Sequence, residues 1–212
     1  MTDCFALLGL TRQPWLDPDL LQQRFTALST QFHPDKIAPA ANDERARAAD
    51  YFAELNLAYQ TLRDTRSRLG HLIQLETGLA PGAVEKVSSE ASNLFFEVSG
   101  LCRKVDQFLP EKAGATSPML KAAHFAQSLD WTDRLQALQL VIQSLRQSAE
   151  EEAHRLNGLW APEGDAACPE PVEGAPPSKF EAVERLKALY STLGYLNRWN
   201  AQLQERIVQL AV

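Results

Sequence analysis

The sequence predicts an all-α protein in two parts, a helical hairpin unit followed by a helical bundle. Apolar residues recur every three or four positions along most of the 212 residues, which is the period of an amphipathic helix. Strand signals, meaning period-two alternation rich in Val, Ile and Thr, are absent. Prolines gather at a few places where the helical pattern stops, and they mark the connections between helices.

The composition excludes several functional classes. The chain has 21 Lys and Arg against 27 Asp and Glu, a formal net charge of −6, whereas a nucleic-acid binder needs a basic surface to neutralise phosphates. No apolar run is long enough to span a membrane, and residues 1–4 lack the basic start of a secretory signal. Three widely separated cysteines predict neither a disulfide framework nor a zinc site, and they favour a reducing cytoplasm.

Residues 1–78 predict a short opening helix and three longer ones. Asp17 and Pro18 are a helix start, because Asp accepts backbone N–H groups at a cap and proline costs nothing at the first position. Pro34 ends this helix, since proline disfavours the α conformation at the preceding residue, and Asn42 is predicted to cap the next one. Two such helices pack antiparallel, which puts the loop between them at an exposed tip. Their apolar stripes are Leu21, Phe25, Leu28 and Phe32, then Phe52, Leu55, Tyr59 and Leu62.

Residues 83–212 follow a linker at 79–82 and show heptad-like spacing in three segments. Steps of three and four are typical of helices that pack nearly antiparallel in a bundle. Pro110–Pro118 is predicted to connect the first two helices, and 161–178, rich in proline, to be a flexible loop between the last two. Asn200 is predicted to be the polar member of the last seam. The seams are Val87, Ala91, Leu94, Val98, Leu101, Val105 and Phe108; Trp131, Leu135, Leu138, Ile142, Leu145 and Ala149; and Leu186, Leu189, Leu193, Leu196, Leu203, Ile207 and Leu210.

His33-Pro34-Asp35 is the most informative local motif. Phe32 precedes it, Lys36 follows it, and the next helix contains LNLAYQTLRD at 55–64, with Arg68 beyond. This arrangement resembles the J domain of DnaJ-type co-chaperones.

Other stretches narrow the resemblance to HscB, the J-protein of bacterial iron–sulfur cluster assembly, called Jac in fungal mitochondria. They are FALLGL at 5–10, Leu16-Asp17, RLGHLIQL at 68–75 and, more loosely, YLNRW at 195–199. The resemblance implies an N-terminal J domain at 1–78 and a C-terminal three-helix bundle at 83–212.

The J-domain resemblance implies that the tripeptide loop binds an ATPase chaperone of the heat-shock-seventy class, here HscA- or DnaK-type. Asp35 is an anion that accepts a charge-assisted bond from a partner arginine. Pro34 stiffens the loop and lowers the entropy lost on docking, while His33 and Lys36 add polar contacts. The preceding helix offers only Arg24 where relatives carry several cations. Arg24 is either a partner contact or a solvated surface charge.

The HscB resemblance implies that the bundle binds the scaffold protein IscU. Phe95, Phe96 and Tyr195 correspond to the apolar and aromatic positions that contact it, and Trp199 is expected to be exposed beside Tyr195. Packing of these rings against the J domain is the alternative. Where relatives carry an apolar residue and carboxylates, this chain has Ser99, Gly100, Arg103 and Lys104.

The predicted function is that of a cytoplasmic co-chaperone with no active site, cofactor or metal of its own. One alternative is a general DnaJ-type co-chaperone whose bundle binds a different client. Another is a structural helical protein with a degenerate J domain. An independent enzyme is the weakest alternative, because the sequence contains no nucleophile, metal-ligand or phosphate-binding constellation.

Overall fold

The computed structural model describes residues 2–32, 42–82, 89–160 and 179–211, and every regular element within them is helical. The predicted all-α fold is confirmed. In chain order the helices are α1 (Cys4–Leu7), α2 (Pro18–Gln31), α3 (Asn42–Arg63), α4 (Thr65–Thr77), α5 (Ser89–Ala113), α6 (Pro118–Leu156) and α7 (Lys179–Ala211), with a 3-10 turn at Asn157–Leu159. The proline-rich stretch predicted to be a loop, 161–178, lies outside the described residues.

Contacts divide the chain into two compact units. The first unit comprises Met1–Ala83 and Glu150–Tyr190, and the second comprises Val84–Ala149 and Ser191–Val212. Residues 1–78, the part that contains the α2–α3 hairpin, therefore lie in the same unit as the end of α6 and the start of α7. The boundary between independent domains at 79–82 stays a prediction.

The predicted helix start at Asp17 is confirmed. Its carboxylate accepts the backbone N–H groups of Asp19 and Leu20, and Pro18 occupies the first helical position. Asp64 caps α4 in the same way, accepting the N–H of Ser67 at 2.8 Å. Gly78 ends α4 at a φ of +73°, a left-handed conformation that only glycine adopts without steric cost.

α2 and α3 pack antiparallel in the first unit, as the sequence predicts. Phe25 stacks on Tyr59 with ring centroids 4.2 Å apart, and Phe32 meets Tyr51 edge-on at 4.6 Å. Phe25 lies within α2 and Phe32 follows its last residue, yet Phe32 contacts the earlier of the two tyrosines of α3. The two helices therefore run in opposite directions. The apolar stripes face inward, since Leu21, Leu55 and Leu62 are buried.

The end of α6 and the start of α7 contact the hairpin part within the first unit. The Trp15 N–H donates to Asn157 Oδ1 at 2.8 Å, and Asn157 Nδ2 donates back to the Trp15 carbonyl at 2.9 Å. The Arg66 guanidinium lies over the Tyr190 ring, 4.2 Å from its centroid, a cation–π contact. These contacts join residues that are distant in sequence, and no periodic pattern predicts them.

The second unit packs α5, part of α6 and part of α7 around one apolar core, which confirms the predicted three-helix bundle. Buried seam residues from all three helices meet there. They are Leu94, Val98, Val105, Phe108, Leu135, Ile142, Leu196, Leu203 and Leu210.

One seam position of α7 differs from the prediction. Trp199 is only 4% exposed and belongs to the core, whereas Asn200 is half-buried. Leu196 and Leu203 are seven residues apart, so the third or the fourth residue after Leu196 suits the spacing equally well. Burying the indole removes more apolar surface from water, and it spares an amide that would need buried partners. The expectation that Trp199 is exposed is wrong.

α5 continues past the break predicted at Pro110. It ends at Ala113, and the connection to α6 comprises only residues 114–117. Proline removes one backbone donor but leaves its own carbonyl free, and Gly114 N–H donates to that carbonyl at 3.0 Å. Lys112 Nζ also donates to the Leu210 carbonyl at 2.6 Å, which ties this last turn to the end of α7.

Candidate functional site

The predicted chaperone-binding residues His33, Pro34, Asp35 and Lys36 lie outside the described residues. The helices that flank them are described, since α2 ends at Gln31 and α3 begins at Asn42. The antiparallel α2–α3 pair therefore holds both ends of the segment that carries the tripeptide.

Arg24 lies on an exposed face of α2, the helix that precedes the tripeptide. It makes no ion pair with any described residue, so its charge is available to a partner. Its neighbours on the exposed face carry no positive charge, and they are Gln22, Gln23, Thr26, Ala27 and Gln31.

Arg68 is a buried cation that joins three segments of the first unit. Its Nε donates to the Pro14 carbonyl at 2.8 Å and its Nη1 to the Leu62 carbonyl at 2.7 Å. Desolvation lowers the pKa of Arg68 to about 10, although the nearby Glu150 and Asp64 carboxylates oppose the shift. The guanidinium thus stays charged at neutral pH while it fixes the loop before α2 against α3 and α4.

His71 is a second buried polar residue, and it holds α1. Its Nε2 accepts the Cys4 N–H at 3.0 Å, and its ring stacks on Phe5 with centroids 5.8 Å apart. Burial lowers the pKa of His71, with Asp3 raising it and Arg12 lowering it further. The imidazole is therefore neutral, as an acceptor nitrogen requires.

The predicted client-binding rings form one contiguous cluster on α5 and α7 in the second unit. Phe95 and Phe96 are 47% and 71% exposed, and their centroids are 5.6 Å apart. Phe95 lies 6.3 Å from the buried Trp199, which in turn stacks on the half-buried Tyr195 at 5.7 Å. We call Phe95, Phe96 and Tyr195, with Trp199 beneath them, the aromatic face. The sequence identified its exposed members and misplaced its buried one.

The aromatic face continues along α5 into small and basic residues. Ser99 and Gly100 are half-buried, and Arg103 and Lys104 are exposed. A Cβ added to Gly100 would meet nothing within 4 Å, so no neighbouring side chain covers the backbone at this turn.

The described cysteines are free thiols. Cys102 is buried and Cys4 is partly buried, and burial raises the pKa of each thiol. Both are therefore protonated at neutral pH. Among the described residues, no group of three or more His, Cys, Asp or Glu is placed to hold a metal ion.

Comparison with known proteins identifies the N-terminal part. A family model described as the DnaJ domain matches residues 3–70. Residues 3–70 form a DnaJ domain. This confirms the resemblance drawn from the tripeptide and its flanking helices.

Curated relatives show which DnaJ proteins this domain resembles. An HscB homolog of Vibrio cholerae (strain M66-2), named a co-chaperone protein, is 43% identical over 72 residues, 34% of this chain and 42% of that protein. The co-chaperone protein HscB of Proteus mirabilis (strain HI4320) is 32% identical over 74 residues, 35% of this chain and 43% of that protein. The chain thus spans about two fifths of the length of these relatives. In sequence, the DnaJ domain thus resembles the corresponding part of these HscB proteins.

Solved structures extend the likeness to the fold of the whole chain. The chaperone HscB from Vibrio cholerae matches with a TM-score of 0.58 and 21% identity over 99% of both chains. The human co-chaperone protein HscB matches with a TM-score of 0.60 and 15% identity, over 97% of this chain and 82% of that one. At these identities the likeness concerns the fold, an N-terminal J domain with a helical C-terminal region. No helix among the described residues is long and apolar enough to cross a membrane.

Proposed function

We propose that this protein is a co-chaperone of an HscA- or DnaK-type ATPase, to which it delivers an IscU-like iron–sulfur scaffold. The DnaJ domain at residues 3–70 carries the proposal. The tripeptide lies in sequence between α2 and α3, which pack antiparallel, and the curated relatives of the domain are named HscB co-chaperones.

The proposed chemistry at the tripeptide is electrostatic. Asp35 offers a carboxylate to a partner arginine, a pairing stronger than a neutral hydrogen bond. Pro34 restricts the loop before docking, and His33 and Lys36 border the anion. The docked loop stimulates ATP hydrolysis by the partner, so this chain needs no active site and no cofactor of its own. We place it in the cytoplasm, where Cys4 and Cys102 remain reduced.

The proposed client site is the aromatic face. Exposed aromatic rings that lie together are the usual energetic centre of a protein–protein contact. Ser99 and Arg103 border these rings on α5 and complete the site. Hydrolysis by the chaperone then captures the scaffold that this face presents.

A general DnaJ-type co-chaperone with a different client is the second candidate. Arg103 and Lys104 favour it, since the HscB resemblance implies carboxylates where these cations lie, and a reversed charge changes which partner is attracted. Retention of the host's own IscU-type scaffold on the immobilised protein separates the two candidates, because a general J-protein would not retain it.

A single-turnover ATPase assay tests the chaperone half of the proposal. The protein and the scaffold are added to the host's HscA- or DnaK-type chaperone preloaded with ATP, and phosphate release is followed. We expect this chain to accelerate release. An unchanged rate would instead support a structural protein with a degenerate J domain.

Truncating the aromatic face is expected to weaken scaffold capture. Phe96→Ala combined with Tyr195→Ala removes two rings of the aromatic face, and we expect roughly 30-fold weaker binding of the scaffold by calorimetry. Basal stimulation of the chaperone without scaffold should not change.

Phe125→Ala is the matched control for the aromatic face. Phe125 is 64% exposed on α6 and lies outside the aromatic face, so its removal should leave the affinity within about twofold. Normal scaffold binding by the double variant would refute the assignment of the client site.

A further inference from the structure

The charged residues around the aromatic face lie on particular sides of α5 and α7. Residues seven apart on a helix share a face and lie about 10 Å apart along the axis. Arg103 is seven residues after Phe96 and therefore lies on the same side of α5. Arg198 is three residues after Tyr195 and is its neighbour on the surface of α7. Both arginines are exposed and form no ion pair with any described residue.

Among the described side chains, the carboxylates near the aromatic face either pair with a cation or lie on another side or a later turn of their helix. Asp106 lies on the same flank of α5, but Arg206 pairs with it at 2.7 Å. Glu97 is seven residues before Lys104, so these two opposite charges lie on a different side of α5, away from α7. Glu205 is seven residues beyond Arg198, about 10 Å further along α7. The aromatic face is therefore bordered by two arginines that pair with no described carboxylate, in a chain whose net charge is −6.

The backbone between the ring and the cation is open. Gly100 lies between Phe96 and Arg103 in sequence, and a Cβ there would meet nothing within 4 Å. A partner side chain has access to this turn and to the Arg103 guanidinium beside it. Arginine suits such a position, since its planar group binds a carboxylate through two parallel bonds.

We infer that the client meets the aromatic face with an apolar group bordered by carboxylates, and that Arg103 and Arg198 bind those carboxylates. This inference rests on the proposed function, because it takes the aromatic face as the client site. It adds that the scaffold of the same host carries acidic side chains around its contact surface.

Charge reversal tests the inference with the host's IscU-type scaffold as the probe. We expect Arg103→Glu with Arg198→Glu to slow association about tenfold at low ionic strength, because charges at the rim of an interface act mainly on the rate of encounter. The wild-type association rate should fall as salt is added, and the variant rate should not. Arg103→Gln with Arg198→Gln, which introduces no repulsion, should give a smaller loss of about threefold.

Lys121→Glu with Arg134→Glu is the matched control. It makes the same change in net charge at two exposed cations of α6, which lie in the second unit and outside the aromatic face. We expect less than a threefold change in association rate. Helical circular dichroism and the melting temperature are measured for every variant to establish that each one folds.

The possible results separate the inference from the proposed function. A slow Arg103/Arg198 variant beside a near-normal control variant supports the inference. Equal rates for the wild type and the arginine variant overturn it and leave the scaffold assignment standing. Failure of the wild-type protein to bind the scaffold overturns the client half of the proposed function, and the inference with it.

Discussion

Arg68 shows how one buried side chain can organise a small domain. It donates to two carbonyl groups from separate segments, at Pro14 and Leu62, while it is only 4% exposed. The sequence places Arg68 in the stretch that resembles HscB but gives it no role, since its carbonyl partners come from elsewhere in the chain. The spacing of side chains in the sequence does not show which main-chain carbonyl groups will accept hydrogen bonds from Arg68.

Arg68→Ala is expected to lower the free energy of unfolding by about 3 kcal/mol, because two buried carbonyl groups lose a charged donor. Urea denaturation measures the change. Arg63→Ala, at an exposed arginine of the same region, should change the value by less than about 0.5 kcal/mol. Equal effects of the two substitutions would contradict the structural role of Arg68.

Two glycines in helices should respond to alanine with opposite signs. A Cβ on Gly70 would lie 2.8 Å from Cε2 of Tyr190, so Gly70→Ala should displace the ring from under Arg66 and destabilise the protein by about 1 kcal/mol or more. Gly100→Ala has open space around it and should stabilise α5 by about 0.5–1 kcal/mol. Thermal unfolding followed by circular dichroism distinguishes them, and changes of the same sign would be inconsistent with these contacts.

His71 predicts a pH dependence of stability. Burial holds the pKa of His71 below its ordinary value of 6.5 in the folded protein, so protonation favours the unfolded chain. Its contribution is complete above that ordinary value and is lost as the pH falls through the lower, folded-state pKa. We expect the free energy of unfolding to fall more steeply between about pH 7 and pH 5 for the wild type than for His71→Asn. Parallel curves would exclude His71 as the source.

At the scale of the helices, the sequence predicts the caps and the apolar seams. It does not predict which of two adjacent residues is buried in a seam. Asp17 and Pro18 start α2 as expected, because a cap depends on neighbouring residues alone. Trp199 replaces Asn200 in the α7 seam, since heptad spacing permits both and the packing around the larger ring decides. Pro110 failed to end α5, because proline disturbs the turn before it rather than the turn after it.

The aromatic face is an element-scale feature that the sequence predicted in part. Phe95 and Phe96 are exposed as expected, since they fall beside or opposite the seam of α5. Arg198 was missed as a neighbour of the face. Its position three residues after Tyr195 was a usable signal, but only the contact between Phe95 and Trp199 shows which side of α7 faces α5.

At the scale of the whole molecule, the two proposed functions fall in different units. The first unit contains the DnaJ domain, and the second contains the aromatic face. The linker at 79–82 stays a prediction, and contacts add Glu150–Tyr190 to the first unit. The pair of hydrogen bonds between Trp15 and Asn157 joins residues 142 positions apart. Contacts at such separation follow from tertiary packing and leave no local trace in the sequence.

The proposed function depends on activation of a chaperone ATPase by the DnaJ domain through Asp35. Asp35→Asn keeps the size of the side chain and removes the charge that a partner arginine would bind. Asp19→Asn, at an exposed carboxylate in the first turn of the same hairpin, is the matched control.

The most direct measurement is single-turnover ATP hydrolysis by the host's HscA- or DnaK-type chaperone in the presence of scaffold and each variant. We predict that Asp35→Asn returns the rate to the unstimulated value, with scaffold capture and helical content unchanged, while Asp19→Asn stimulates like the wild type. Undiminished stimulation by Asp35→Asn would refute the proposed role of Asp35 in activating the chaperone ATPase.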